Sequence, residues 1–371
     1  MIRISSTSLL ALLLATPAMA DDTYPKFSAD FVVEIENDYT FSSTDPSAEL
    51  NDTFTTTEGA LSLELAKGTS INATVLLEPV QDADNDRFFD DHGLYAEELF
   101  LYQDFGSAAL TLGKFNPAFG AAWDIAPGIF GVDFAEDYEI TERLGGALSI
   151  PFDAAGGAHE FTFAAFFADV TVLSNSAFQD RGRTRSQDGG VSNTQSPESF
   201  AFSVAGAFGD TGYNAGLQYQ SRGEGDAFDQ SGVVLGLTQE VSLGGDSAVE
   251  LLAEAAYFPH FDGAEESALI TTLGAAAPVG PVTLSGVYAL RDLEGAPADH
   301  LATATAEIDL FDGLNAGIGY RYGREESETN HTLGVLLVYE FGVSSQRLSN
   351  PASRLFERHR MGLGRDEGSR T

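Results

Sequence analysis

The side chains with the most chemistry to offer in this sequence are carboxylates, and their spacing groups them by side. In stretches where every second residue points the same way, Asp30, Glu34, Glu58, Glu64, Glu78, Glu160, Glu240, Glu250, Glu254, Glu307 and Glu340 share the polar parity. Arg143, Arg222, Arg291 and Arg321 share it too. Acids outnumber bases there by roughly three to one, so a surface built from that side attracts cations and repels anions. A second acidic group, Asp82-Ala83-Asp84-Asn85-Asp86 followed by Asp90 and Asp91, alternates as a calcium loop does. Arg87 stands where such a loop turns on glycine and Gly93 where it closes on glutamate, so this is not an EF-hand. The expectation is a run of solvated acids, with a loose Ca2+ site at Asp82, Asp84 and Asp86 as the alternative.

Catalysis finds little support. The six histidines are scattered without HExxH spacing, and there is no G-x-S-x-G elbow or phosphate-cradling glycine loop. The absence of cysteine excludes disulfides and thiolate metal sites. The reading is therefore that the chain is no enzyme and needs no cofactor. Nineteen Lys+Arg against 56 Asp+Glu give a net charge of −37, which argues against nucleic acid because phosphates would be repelled.

The elements that must position these side chains are strands. Alternating segments run 27–36, 55–66, 69–79, 94–104, 107–115, 140–152, 158–169, 198–208, 211–222, 230–242, 246–258, 266–277, 282–291, 299–310, 313–323 and 330–341. Gaps after the odd-numbered segments are mostly long and polar; those after the even-numbered ones are short, such as Lys67-Gly68, Gly209-Asp210 and Phe311-Asp312. That rotation is the signature of an all-β, transmembrane, antiparallel up-and-down β-barrel of about 16 strands, with short periplasmic turns and longer external loops. A barrel of this size leaves a water-filled lumen. Several apolar faces end in an aromatic, as at Tyr257, Tyr288, Tyr320 and Phe341, which suits a membrane interface.

Three divisions follow. Residues 1–20 read as a signal peptide: Arg3, then the apolar run Ser8 to Ala15, then Ala18-Met19-Ala20 as the cleavage site. The apolar run falls short of the ~20 residues that span a bilayer. Residues 21–341 form the barrel. Residues 342–371 form a polar periplasmic tail carrying Arg347, Arg354, Arg358, Arg360, Arg365 and Arg370.

Two local patterns carry a resemblance. Thr332-Leu333-Gly334-Val335-Leu336-Leu337-Val338-Tyr339-Glu340-Phe341 resembles the terminal assembly signal of outer-membrane proteins, although about thirty residues follow it here. The order of strands and loops is similar to that of the sixteen-stranded general porins of Gram-negative outer membranes. Leu110-Thr111-Leu112-Gly113-Lys114-Phe115-Asn116-Pro117-Ala118-Phe119-Gly120 is similar to a motif of phosphate-selective porins. The resemblance implies that the third long loop, 116–139, folds inward and narrows the channel. The loop's own composition agrees, since Phe119, Trp123, Ile129, Phe130 and Phe134 have no use in open water. The family picture further implies acids on that loop, for which Asp124, Asp133, Glu136, Asp137 and Glu139 stand ready. Arg143, Arg222, Arg291 and Arg321 would be the bases of the facing wall.

The function expected is an outer-membrane channel for passive diffusion of small hydrophilic solutes and ions, weakly cation-preferring. By the resemblance it is a homotrimer in outer-membrane lipid. The alternative is a non-conducting barrel that binds partners at the surface through loops such as 170–197.

Overall fold

The computed structural model describes residues 24–244 and 247–344. Sixteen strands, linked in sequence order, close on themselves. They are β1 (Lys26–Ser43), β2 (Asn51–Ala66), β3 (Thr69–Pro79), β4 (His92–Asp104), β5 (Ala109–Phe115), β6 (Arg143–Ala154), β7 (Gly157–Ala168) and β8 (Ser199–Phe208). Then follow β9 (Thr211–Gln220), β10 (Gln230–Gly244), β11 (Ser247–Phe258), β12 (Ala268–Val279), β13 (Val282–Leu293), β14 (Asp299–Phe311), β15 (Leu314–Glu325) and β16 (Glu328–Ser344). Each strand pairs antiparallel with the next, and β1 pairs with both β2 and β16. Phe31 marks the seam: it lies opposite Gly59 on one side and Phe341 on the other, and its ring stacks on Phe341 at 5.1 Å. Closure leaves no unpaired edge, the condition for crossing a bilayer with strands.

Side-chain alternation explains why these segments pair in this register. On β10 and β11, Leu235, Leu237, Leu251 and Tyr257 are exposed, whereas Val234, Leu252, Glu254 and Phe258 are buried. Leu235 and Leu237 are 63% and 58% exposed, and similar side chains (Leu217, Leu273, Ile318, Val335) continue the belt around the sheet. A continuous apolar surface of this kind is what a protein in lipid presents and a water-soluble one avoids. Among the described residues no helix is long and apolar enough to cross a membrane.

The tight turns lie where short gaps were expected. Gly68 adopts φ +77°, and a Cβ there would stand 2.9 Å from the Asp104 carbonyl oxygen, so glycine suits both conformation and space.

The strand ends differ most at the first hairpin. The expected loop 37–54 shrinks, because β1 runs on to Ser43 and β2 begins at Asn51, pairing Tyr39 with Asn51. Asn37 Nδ2 donates to Asn51 Oδ1 and Thr53 Oγ1 there, and Thr40 pairs its hydroxyl with Thr332. Polar side chains thus extend the ladder past the point where apolar alternation ends. β16 likewise runs to Ser344. Two-residue strands decorate the rim. Arg87–Phe88 pairs parallel to Asp52–Thr53 of β2, and Ala177–Phe178 pairs with Gly93–Leu94 of β4. The expected leader, 1–20, and residues 345–371 of the expected tail lie outside the described residues.

Candidate functional site

Segment 116–139 does not stand away from the sheet. It packs against the buried, polar-parity face of strands far along the chain. Phe119, Ala122, Ala126, Phe134, Tyr138 and Ile140 form one apolar cluster with Val234, Leu252, Phe258, Ile270, Val287 and Leu301. Phe119 meets Phe258 at 5.9 Å between ring centres and Tyr138 edge-on at 6.3 Å. Burying several aromatics stabilises such docking by about 1.5–3 kcal/mol per large side chain.

The polar anchor of the segment is Glu254 on β11, only 3% exposed. Its carboxylate accepts from the backbone N–H of Ala121 (2.9 Å) and Ala122 (2.9 Å), from Tyr138 Oη (2.5 Å) and from Asn214 Nδ2 (2.7 Å). The two N–H groups lie at the start of α1 (Ala122–Ile125), a single turn with no side-chain cap of its own. Glu254 thus satisfies donors that the turn leaves open. Trp123 Nε1 donates to the Phe119 carbonyl at 3.1 Å and closes the same turn.

Glycine permits the closest approach. Gly128 adopts φ +88°, and a Cβ there would meet Thr305 Oγ1 at 2.6 Å and Ser285 Oγ at 2.8 Å. The following Ile129 N–H donates to that same Thr305 hydroxyl at 3.2 Å. Beyond it, Phe130 lies against Gly334 of β16. One segment therefore reaches from β9 and β10 to β16.

Two of the expected arginines meet the expected loop acids directly. Arg321 Nε lies 2.6 Å from Asp133, and its Nη2 lies 2.6 Å from Glu325. Arg291 pairs with Asp137 at 2.7 Å and with Asp299 at 2.9 Å, and its guanidinium sits over the Phe134 ring. These are closed ion pairs rather than charges facing each other across a gap. The other two arginines lie elsewhere. Arg143 donates to the Thr141 carbonyl at 2.6 Å and touches none of the loop acids. Arg222 stands two residues past the end of β9, where strand parity no longer applies, and donates to the Ala227 carbonyl.

Glu136 and Glu139 face other acids. Glu136 is crowded by Asp133, Glu78 and Asp137; loss of water contact and then these charges push its carboxyl up to about 7. Glu139, beside Glu97, Glu136, Asp124 and Glu98, is pushed up to about 8, again chiefly by burial. Burial also raises Asp133, against the pull of Arg321. Neither Glu136 nor Glu139 has a basic residue among the neighbours that set these shifts.

Asp82, Asp84 and Asp86 are not gathered. Asp86 accepts from the Asn51 N–H at 2.9 Å, and Arg87 pairs with Asp52 at 2.6 Å. Among the described residues no three acids or histidines form a group able to hold a metal ion. Sequence reasoning placed Glu254 on the polar face without singling it out, and it missed Asp299 and Glu325 as partners of the arginines. Strand parity reports a side but not which distant loop will cover it.

A family model described as Gram-negative porin matches residues 6–342. No curated protein sequence matches the chain. Among solved structures, the fold is similar to OmpF of Salmonella typhi in complex with daunomycin, at 12% identity and a TM-score of 0.58, over 85% of this chain and 98% of that one. It is similar to the anion-selective porin of Comamonas acidovorans at 14% identity and a TM-score of 0.57, over 85% of this chain and 99% of that one. A loop-deletion mutant of OmpT, an outer membrane protein of Vibrio cholerae, gives 11% identity and a TM-score of 0.51, over 85% and 99%. At these identities the likeness is one of fold, a closed 16-strand antiparallel barrel.

Proposed function

The chain belongs to the Gram-negative porin family, a class of outer-membrane protein, and from that premise we propose that it forms a water-filled, cation-preferring channel for passive diffusion of small hydrophilic solutes and ions. In this reading segment 116–139 lies inside the barrel and forms the constriction. Its contacts support that placement, since a loop between β5 and β6 that touches β9 through β16 on the face opposite the lipid belt crosses the interior.

One observation carries the charge preference. Arg291 and Arg321 are already neutralised by Asp137, Asp299, Asp133 and Glu325. Glu136 and Glu139, which ionise as pH rises through about 7 and about 8, then add negative charge to the field an ion meets beside Glu78, Glu97 and Glu98. Carboxylates in a narrow aqueous passage attract cations and repel anions. Family analogy adds a homotrimer embedded in outer-membrane lipid.

The deciding experiment is the reversal potential of single channels in a KCl gradient. Its sign is expected to be that of K+ preference, and a Cl−-preferring sign would refute the reading. Absence of any conductance, with liposomes that fail to swell in small sugars, would favour the non-conducting barrel.

A further inference from the structure

The two roots of segment 116–139 meet in a second polar centre, apart from the face on which the segment docks. Lys114, next to last in β5, is wholly buried. Its Nζ lies 2.7 Å from Glu142 and 3.1 Å from Asp169, and donates to the Leu173 carbonyl at 3.0 Å. Glu142 belongs to the far root, immediately before β6, and its N–H donates to Asn116 Oδ1 at 2.8 Å. The same carboxylate receives Arg181 from the loop between β7 and β8 as a two-pronged pair at 2.7 and 2.5 Å. The Arg181 guanidinium lies 3.6 Å from the centre of the Tyr95 ring on β4, and its Nε donates to the Ser174 carbonyl. Near root, far root and outer loop are therefore tied at one carboxylate.

A buried ammonium persists only where charge and hydrogen bonds surround it, and a two-pronged guanidinium pair fixes direction as well as distance. Loss of Arg181 leaves Glu142 held by Lys114 alone, and loss of Lys114 removes the cation that Glu142 and Asp169 share. The outer loop is itself held at both ends of its span. Ala177–Phe178 pairs with β4, while the Gly190 N–H donates to Asp226 and the Ser192 N–H to the Ser221 carbonyl, both in the next loop. Arg181 sits between these ties. Arg183, two residues on, turns back to the Val170 carbonyl of its own loop and reaches neither root.

We propose that Arg181 and Lys114 are positioning residues for the constriction, and that Arg181 makes the outer loop a handle on the channel. Displacing that loop from the cell exterior withdraws the Arg181 fork from Glu142, leaves the far root held by Lys114 and Asn116 alone, and so loosens segment 116–139. The inference rests on the reading of that segment as the constriction.

The test uses single-channel recordings of the full chain in planar bilayers. Arg181→Gln is expected to shift the unit conductance and raise open-channel noise. Arg181→Lys keeps the charge but loses the fork and the flat stack on Tyr95, so its noise is expected between the two. Arg183→Gln is expected to match the unsubstituted protein. Arg181→Gln introduced together with deletion of 121–135 is expected to add nothing to the deletion, since no constriction remains to be positioned. Unchanged conductance and noise in Arg181→Gln overturns this inference and leaves the constriction reading standing. An equal shift with and without the deletion also overturns it, because Arg181 would then act at the mouth itself. Unchanged conductance on deletion alone overturns the constriction reading and this inference with it. Should Arg181→Gln not assemble, noise in Arg181→Lys equal to that of the unsubstituted protein overturns the inference.

Discussion

Glu254 concentrates more of the docking of segment 116–139 than any other side chain described above. Replacing it with alanine leaves Ala121 N–H, Ala122 N–H, Tyr138 Oη and Asn214 Nδ2 without their acceptor. Each unsatisfied buried donor costs about 1–3 kcal/mol. Glu254→Ala is expected to assemble as a barrel, because the β11 ladders run through its backbone, but to conduct with a larger and noisier open level. Single-channel traces check this, and a quiet level of unsubstituted size would contradict the anchoring role. Glu136 and Glu139 carry a pH dependence whose sign follows from their raised carboxyls. Held up to about 7 and about 8, they are protonated and neutral on the acid side and ionise as pH rises through those values. The K+/Cl− permeability ratio is therefore expected to climb between about pH 6 and pH 9, where ordinary carboxylates are already fully ionised. A ratio flat across that window would show that neither group faces the ion path.

The strands and the loops divide the labour. Strand elements hold the wall through ladders that depend on alternation and pairing, not on any one side chain. Segment 116–139 depends instead on what it rests against: the apolar cluster with Val234, Phe258 and Ile270, the Gly128 approach to Thr305, and the pairs made by Asp133 and Asp137. Removing residues 121–135 removes the Gly128 approach, the Asp133 pair and the apolar contacts of Ala122, Ala126 and Phe134 while leaving β5 and β6 paired. The expected result is a barrel of larger unit conductance and weaker exclusion of bulky sugars, read from bilayer recordings and liposome swelling. Unchanged conductance would reject the segment as the constriction. The same reasoning explains why the first hairpin is longer than alternation suggested. Asn37, Thr40, Asn51 and Thr53 continue the pairing with polar side chains, which carry no apolar period to read.

At the scale of the molecule, a closed cylinder with an apolar exterior carries a strongly acidic chain. Nineteen bases oppose 56 acids, and Arg291 and Arg321 are neutralised where they meet segment 116–139. Selection by such a field acts through water and is screened by salt. The Debye length falls from about 10 Å at 0.1 M to about 3 Å at 1 M. The K+/Cl− permeability ratio is accordingly expected to drop as KCl is raised over that range at constant gradient. A ratio indifferent to salt would assign selection to close contact with individual groups instead.

The sequence by itself determined the strand count, the rotation of long and short connections, which side of most strands meets lipid, and that segment 116–139 differs from the other long loops. Those features are local: they follow from a two-residue period and from turn chemistry, both written in neighbouring residues. Membership of the porin class was legible for the same reason, in the order of elements and the pattern ending at Phe341. Only the tertiary structure decided that Asp133 and Asp137 close onto Arg321 and Arg291, that Arg143 and Arg222 stand aside, and that Glu254 anchors the segment. Only it brought Lys114, Glu142, Asp169 and Arg181 together. Each of these contacts joins residues distant in the chain, and their distances are set by how the cylinder closes and where segment 116–139 packs on it. No local period encodes that geometry.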